Sequence, residues 1–365
     1  TDTKKLNETV DFTVNFSEDV TADGTMTVTL TSTNTAATAT VTSSNIQSSS
    51  TADVTYTVAT GNESLFLNIT QIAMAGGTYL TDDAGNQLNV FTISGDNLSA
   101  ISNFETDGTI PTITDITSTS SDPGRFSTDE TVNVTVNFSE AVSLNAGNLD
   151  ILLETGTTDR TVLVGFSDIT TTTTALGSYV VQAGDENTAG LYVKSLSVSG
   201  GGIITDVAGN ATSGYIITGT NLNDTYDFQM ETTAPTIVTV TSTANDGSYG
   251  IGGTIPVVVS FVNGTGGAAE NLLLNSGTLD ITLATGGVGT TVNVSSITTS
   301  STASVDYVVA EGETSGDLSV SAIAIGGGGS ITDPFGNELS AAPVIPPGAN
   351  LDDAKAIVID AIRPT

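Results

Sequence analysis

The chain is 365 residues long and carries 40 aspartates and glutamates against 7 lysines and arginines, a formal net charge of −33. This charge makes nucleic acids and anionic membranes poor partners and makes cations the natural counterparts. Cysteine, histidine and tryptophan are absent, which excludes a disulfide framework, a thiolate metal site and a histidine-based nucleophilic triad. No apolar run approaches the ~18 residues of a membrane-spanning helix.

Three sequence landmarks recur along the chain at a spacing of roughly 125 residues. The first closes a strand-like run and reads Phe16-Ser17-Glu18, then Phe138-Ser139-Glu140, then Phe261 alone. The second is a turn, TDDAGN at 81–86, TDVAGN at 205–210 and TDPFGN at 332–337. The third is a Pro-Thr pair, at 111–112, 235–236 and 364–365. A shared spacing of this kind indicates a tandem array of similar domains.

The Pro-Thr pairs set the predicted domain boundaries. We expect domains at 1–109, 110–233 and 234–362, with 363–365 as the start of a further repeat. Copies two and three open with an apolar strand well before their Phe landmark, whereas copy one has no such segment. The sequence therefore predicts that copy one lacks its first strand, and that the chain is a window from a longer array.

Apolar and polar residues alternate with a period of two, for example in Val132–Phe138. This pattern is typical of strands with one buried and one solvated face, and threonine suits the solvated one. In copy two, seven strands are predicted, at 112–118, 131–138, 149–154, 160–166, 177–182, 191–198 and around 226–230. Such short strands, separated by Gly, Asp and Asn turns, predict an all-β, two-sheet sandwich. A helical turn is predicted at 268–274.

Several segments resemble the Ig-like repeats of large prokaryotic cell-surface proteins, namely surface-layer (S-layer) proteins and giant adhesins. They read LETGTTDR at 153–160, YVVQAGD at 179–185, YVVAEGE at 307–313 and DDAKAIVID at 352–360, together with the Asp-x-Ala-Gly-Asn turn. The resemblance implies three tandem Ig-like β-sandwich domains in an elongated array. It also implies an extracellular location, in an S-layer or associated with the cell wall.

Carboxylates at the domain junctions are candidate calcium ligands. Glu140 and Asp206 follow strands that end at the pole of copy two facing the linker, and the linker carries Glu105 and Asp107. Oxygen-rich clusters of this kind suit calcium, and without a cation their charges repel. The equivalent or corresponding acidic residues in the other copies are Glu18, Asp82, Glu231, Asp333 and Glu338. The alternative is that the aspartates only stabilise turns and the glutamates are solvated charges.

Asn-x-Ser/Thr sequons are candidate glycosylation sites, although the serine and threonine content alone produces many of them. They lie at Asn7, Asn15, Asn62, Asn68, Asn97, Asn133, Asn137, Asn210, Asn223, Asn263 and Asn293. Of these, Asn133 and Asn137 are expected on the solvated face of a strand, where a glycan fits. The alternative is that about half or more carry nothing.

The sequence therefore favours a structural segment of a cell-surface protein over an enzyme. The leading interpretation is an S-layer subunit with acidic, cation-binding domains, whose partners are copies of itself in a lattice or neighbouring repeats. The alternatives are a calcium-stiffened extender stalk of a giant adhesin and a glycan- or partner-binding module. Paired carboxylates can hydrolyse glycosides, but here they sit in repeated turns, so no catalytic activity is expected.

Overall fold

The computed structural model describes residues 2–33, 36–88, 90–187, 189–264 and 266–364. Strands dominate all three copies, which confirms the all-β prediction. Buried aliphatic and aromatic side chains form three separate clusters, from Val10 to Leu98, from Ile113 to Met230 and from Ile237 to Ala361. Each copy therefore has its own hydrophobic core.

The described residues of copy one form ten strands and a short helix. The strands are β1 (Asp2–Lys5), β2 (Thr9–Ala22), β3 (Met26–Leu30), β4 (Ala37–Val41), β5 (Ser49–Thr57), β6 (Glu63–Ser64), β7 (Ile69–Met74), β8 (Leu80–Asp82), β9 (Gln87–Leu88) and β10 (Phe104–Asp107). A 3₁₀ turn covers Ser43–Asn45 and helix α1 covers Leu98–Ile101. The sheet β5-β2-β8-β9 packs against the sheet β4-β3-β7, and β1 pairs in parallel with β10.

Copy two repeats this plan and adds an opening strand. Its elements are β11 (Ile113–Thr117), β12 (Gly124–Phe126), β13 (Thr131–Leu144), β14 (Asn148–Leu153), β15 (Arg160–Gly165), a 3₁₀ turn (Phe166–Asp168), β16 (Thr172–Val180), β17 (Val193–Ser199), β18 (Ile204–Asp206), α2 (Leu222–Thr225) and β19 (Phe228–Met230). The sheet β11-β13-β16, extended by β18, packs against β15-β14-β17. The buried alternation along β13 is the predicted one, because Val132, Val134 and Val136 are fully buried.

Copy three follows the same plan, with one exception. Its elements are β20 (Pro235–Ser242), β21 (Gly247–Tyr249), β22 (Thr254–Asn263), β23 (Leu272–Leu283), β24 (Thr290–Val294), β25 (Thr298–Ser300), β26 (Thr302–Val308), β27 (Thr314–Ser315), β28 (Val320–Thr332), α3 (Leu351–Ala354) and β29 (Ile357–Asp360). The sheet β20-β22-β26 packs against β24-β23-β28. The exception is the stretch leading into the TDPFGN turn, which is part of β28 and pairs with β23. Three sandwiches built on one plan confirm the resemblance to tandem Ig-like repeats.

The helical elements were not predicted correctly. The segment 268–274 is not helical; β23 begins inside it at Leu272. Three short helices instead occupy equivalent places in the copies, each capped by an asparagine, namely Asn97, Asn221 and Asn350. Each asparagine oxygen accepts from the first helical N–H, which is a local signal at the start of Asn-Leu segments. The residues after it are too few to produce helical periodicity, so the pattern of apolar residues misses the helices.

The long second strand of copies one and two also differs from the prediction. We predicted that it ends at Phe138, but β13 continues to Leu144 through a register shift between Asn137 and Val142. Copy one has the same shift between Asn15 and Val20. The register shift is a β-bulge, which locally interrupts strand pairing and changes the direction of side chains. Glu140 lies within this bulge. The strand predicted at 177–182 corresponds to β16, which runs over Thr172–Val180.

Candidate cation centre at the junctions between copies

Three carboxylates from separate elements meet where copy one joins copy two. Asp107 ends β10, Glu140 lies in the bulge of β13, and Asp206 ends β18 directly across from Val142. One carboxylate oxygen from each residue lies within 4.8 Å of the others. The sequence placed these three residues at this junction, and the structure brings them together. Glu105, predicted with them, instead accepts a hydrogen bond from the Thr3 hydroxyl at 3.0 Å.

Asn210 connects the turn that carries Asp206 to copy one through hydrogen bonds. Asp206 accepts hydrogen bonds from the backbone and the side chain of Asn210, at 2.8 and 2.7 Å. The Asn210 amide then donates to the carbonyl of Asp107 at 3.0 Å, and its oxygen accepts from the N–H of Leu6 at 2.8 Å. Lys5 donates to the Gly209 carbonyl at 3.2 Å. The Asp-x-x-Gly-Asn turn is thus both a turn and a contact between copies.

The same contact recurs at the second junction. Asn337, the equivalent of Asn210, donates to the carbonyl of Glu231 at 3.0 Å and to Asp333 at 2.9 Å. In copy one, Asn86 makes the corresponding bond to Asp82 at 2.7 Å. This hydrogen bond lowers the pKa of Asp82. The sequence repeat contains the signal for this role, but we assigned the asparagine to the turn and, in the case of Asn210, to a candidate glycosylation site.

Burial and nearby negative charges disfavour the charged form of two first-junction carboxylates, Glu140 and Asp107. Burial, followed by the charges of Asp107, Asp206 and Glu63, raises the pKa of Glu140 to about 7. Burial likewise raises the pKa of Asp107. The Oε1 atom of Glu140 is buried and has no hydrogen-bond partner among the described residues. A buried oxygen acceptor without a donor is rare.

A fourth carboxylate, Glu63, was missed by the sequence reading. It accepts a hydrogen bond from the hydroxyl of Thr109, in the linker. Its equivalent in copy two is Glu186, which accepts from the hydroxyl of Thr233 at 2.7 Å and from Thr232. Both glutamates follow the repeated Gly-Asn or Gly-Asp pair, so aligning the copies would have found them.

The second junction is built from a different set of side chains. Burial, followed by the charges of Glu270, Asp333 and Glu186, raises the pKa of Glu231 to about 7. Asn263 stands where copy two has Glu140, and its amide donates to Glu231 at 2.7 Å. Glu270, which the sequence reading missed, is outside the repeated landmarks; burial and Asp333 raise its pKa. Glu338, which we predicted here, is exposed and bonds to Ser330.

A cation–π contact also crosses the second junction. The Arg125 guanidinium of copy two lies 6.0 Å from the ring centre of Phe335 in the turn of copy three. A contact at this distance is weakly attractive. The first junction has alanine at the position of Phe335, so it lacks this contact.

The candidate ligands of copy one itself, Glu18 and Asp82, lie at a pole with no linker carboxylate among the described residues; Glu18 is exposed.

The predicted glycosylation sites divide into two groups. Asn7, Asn15, Asn223 and Asn293 are exposed, although the amide nitrogen of Asn293 donates to Asp280 at 2.6 Å. Asn62 and Asn210 are 2% and 3% exposed, and the amide nitrogens of Asn97, Asn133, Asn137 and Asn263 donate hydrogen bonds within the fold. Asn133 and Asn137 lie on the outer face of β13, as predicted, and their amide nitrogens donate to Thr119 and Thr117; their glycosylation stays a prediction. Asn68 is partly buried and accepts from Ser99.

The junction carboxyls predict an unusual pH dependence. Glu140 and Glu231 hold protons in the folded chain up to about pH 7, but release them near 4.5 when unfolded. The folded state therefore binds more protons in this window, so the free energy of unfolding falls as pH rises from about 4.5 to 7 and then levels off. Melting by circular dichroism in chelator checks this. The double change Glu140→Gln and Glu231→Gln should flatten the slope, and an unchanged slope contradicts the assignment.

Comparisons with known proteins identify no family. No protein-family model and no curated protein matches the chain. Among solved structures, it is similar to the FN1–FN3 domains of chicken CNTN1, with 11% identity, a TM-score of 0.26 and coverage of 88% of this chain and 89% of that one. Three N-terminal domains of the bacteriophage RB49 outer capsid protein Hoc give 10% identity, a TM-score of 0.28 and 98% and 99% coverage.

A further similar structure is surface layer protein SbsC, domains 1–6, with 14% identity and a TM-score of 0.14. The match covers 99% of this chain and 54% of that one. At TM-scores this low, the assignment of the fold rests on the strand pairing described above.

Within the described residues, no helix is long and apolar enough to span a membrane.

Proposed function

We propose that this chain is a structural segment of a cell-surface protein of the S-layer type, in which calcium fixes the orientation of successive β-sandwich copies. The observation that carries the proposal is the Asp107–Glu140–Asp206 cluster between copies one and two. Its ligand atoms are all hard oxygens, which suit calcium better than a transition metal. No catalytic role is part of the proposal.

The residues present fit such an ion. Asp107, Glu140 and Asp206 would bind it, and the unpartnered Oε1 of Glu140 supplies an acceptor that the fold leaves unused. Calcium takes six to eight oxygens, so carboxylates in bidentate contact, water and the nearby Glu63 would complete the shell. When bound, the ion supplies the positive charge that these residues otherwise lack. It would also join a linker residue of copy one to two strands of copy two, which is what stiffening a junction requires.

The second junction supports a weaker version of the same site. Glu231 and Asp333 are 5% and 4% exposed and remain candidate ligands. The Asn263 amide already donates to Glu231, and a cation would have to displace that bond. We therefore propose that the first junction binds calcium more tightly than the second.

The extender stalk of an adhesin is the second candidate, and the repeated asparagine contact favours it equally. Asn210 and Asn337 join each copy to the next through the same hydrogen bond, and a linear stalk needs such a repeated connection. The S-layer proposal draws on the divergence between copies, since each domain of a lattice subunit meets a different neighbour. A glycan- or partner-binding module remains a sequence-based alternative.

Electron microscopy and sedimentation with and without calcium separate these functions. A lattice subunit should form ordered sheets when calcium is added, and a chelator should dissolve them. A stalk should stay monomeric, while small-angle scattering reports a narrower distribution of shapes with calcium. If neither assembly nor shape responds to calcium, the proposed role of the junctions is wrong.

A further inference from the structure

Copy three contains an apolar groove beside its opening strand, β20. The groove has a volume of about 560 Å³ and lies between the start of β20 and the segment 339–346, which follows the TDPFGN turn. Ile237 and Leu339 line its floor and are 2% and 3% exposed. Val238 and Val344 lie at its rim and are 37% and 80% exposed. A cavity of this volume is typical of sites that hold a small molecule.

In copy two, the chain itself fills the corresponding place. Ile217 forms a parallel bridge with Ile113 of β11, and the N–H of Thr218 donates to the Ile113 carbonyl at 3.0 Å. The side chain of Ile217 packs against the core of copy two. The outer edge of β11 is therefore covered by the segment that follows the repeated turn.

One shared hydrogen bond aligns the two segments. The N–H of Ile116 in β11 donates to the Thr220 carbonyl at 2.9 Å, and the N–H of Val240 in β20 donates to the Ala349 carbonyl at 2.8 Å. The residue two places before Ala349 is Pro347. Proline therefore stands in copy three where copy two has the threonine that donates to the opening strand.

Prolines keep the segment of copy three from pairing with β20. Pro347 has no N–H to donate, and Pro346 takes the place of Ile217. Among the described residues, no backbone bond joins the segment to β20 ahead of Val240. Pro346 and the buried Pro343 also line the groove. Because proline cannot join a β-ladder, this wall is a poor partner for an added strand.

The groove also differs in charge from the rest of the molecule. The chain has a net charge of −33, but every described residue that lines the groove is uncharged. The polar side chains among them are those of Thr236 and Ser340, and the Thr236 hydroxyl already donates to the Gly264 carbonyl. A charged ligand group would lose its hydration here without gaining a partner. The lining therefore favours an uncharged, apolar ligand.

We propose that this groove binds an uncharged alkyl chain, which lies along the edge of β20. An alkyl chain needs no hydrogen-bond partner from either wall, so the prolines do not exclude it. It would cover Val238 and Val344, and the burial of apolar surface drives the binding. The site is separate from the cation centre, because Asp107, Glu140 and Asp206 are not among the residues that line it.

The probes are primary alcohols from hexanol to decanol, added to the full chain and followed by titration calorimetry. We expect saturable binding of one molecule per chain. Burial of one methylene is worth about 0.8 kcal/mol, so the dissociation constant should fall about 4-fold with each added carbon. An affinity that does not rise with chain length, or uptake that does not saturate, overturns the proposal.

The variant Val344→Glu locates the site without disturbing the fold. Val344 is 80% exposed, so the melting temperature should stay the same, while decanol should bind at least about 10-fold more weakly beside a charged rim. Val238→Glu, on the strand itself, should weaken binding in the same way. The matched control is Val288→Glu, which changes a 98% exposed valine of copy three outside the groove and should leave binding unchanged.

Two results of these variants would contradict the site. Equal decanol binding by Val344→Glu and Val288→Glu would place the alkyl chain elsewhere on the molecule. A dimer in sedimentation that Val344→Glu dissociates and Val288→Glu does not would make a second copy of the chain the occupant of the groove. Either result overturns the proposal, and neither depends on calcium.

Discussion

Calcium at 100 times its dissociation constant should raise the free energy of unfolding by about 2.7 kcal/mol, if it binds only the folded chain. Glu140→Gln should remove this response, because it takes away the carboxylate whose Oε1 has no other described partner. In chelator at pH 7.5, the same variant should be more stable than the unmodified chain. The reason is that burial and three nearby carboxylates disfavour the charge on Glu140, whose pKa is raised to about 7.

The matched control is Glu18→Gln, which changes the equivalent glutamate of copy one. Glu18 is exposed and has no linker carboxylate beside it among the described residues, so both effects should be absent. Scanning calorimetry of the full chain, with and without calcium, measures them. Titration calorimetry should give one tight site per chain, followed by weaker uptake that includes the second junction. Equal responses from the two variants would place calcium elsewhere on the acidic surface.

The parts of this fold that depend on local patterns were accessible from sequence. The alternation in Val132–Phe138 predicted strand β13 with the correct buried face, and the repeated landmarks predicted three cores. The continuation of β13 past Phe138 was not accessible. Its pairing with β18 is a contact between segments about 60 residues apart, and no local pattern reports such a contact.

The candidate site was predictable to the extent that the repeat marked it. Asp107, Glu140 and Asp206 stand at repeated positions flanking the linker, and they meet as expected. Glu105 was assigned to the same cluster. It shares a face of β10 with Asp107, but it lies two residues earlier along the strand, where it accepts a hydrogen bond from Thr3 of the neighbouring β1. Glu270 has no counterpart in the other copies, so only the three-dimensional structure could reveal it.

A buried hydrogen-bond network in each copy leads to the prediction with the other large effect. Tyr179 donates its hydroxyl to Asp185, which is fully buried and also accepts from the Gln182 N–H at 2.8 Å and from Arg160 at 2.8 Å. Asp185→Ala leaves the tyrosine hydroxyl and the backbone N–H without an acceptor. Each buried unsatisfied group costs about 1–3 kcal/mol, so we expect a loss of about 2–5 kcal/mol from copy two.

The other copies supply the controls for this prediction. Copy one has Asn62 in the place of Asp185, and Asn62 accepts from the Tyr56 hydroxyl at 2.7 Å and from the Ala59 N–H at 3.1 Å. A neutral amide therefore serves the same geometry, and Asp185→Asn should cost much less than Asp185→Ala. An exposed ion pair in copy two, between Asp227 and Arg125, gives the baseline for the loss of stability. Asp227→Ala breaks the contact to Arg125 at 3.0 Å, and a surface pair contributes about 0–1 kcal/mol.

Hydrogen exchange of the full chain resolves these effects copy by copy. The amides of β13 and β16 should lose protection in Asp185→Ala, while those of copies one and three keep theirs, because each copy has its own core. If Asp185→Asn is as damaging as Asp185→Ala, the negative charge itself is essential, and the ion pair with Arg160 is the main contribution. If neither variant is destabilised beyond Asp227→Ala, the network does not stabilise copy two. The expected result is a large loss of stability in Asp185→Ala and a small loss in Asp185→Asn. It would show that this position needs a hydrogen-bond acceptor rather than a negative charge.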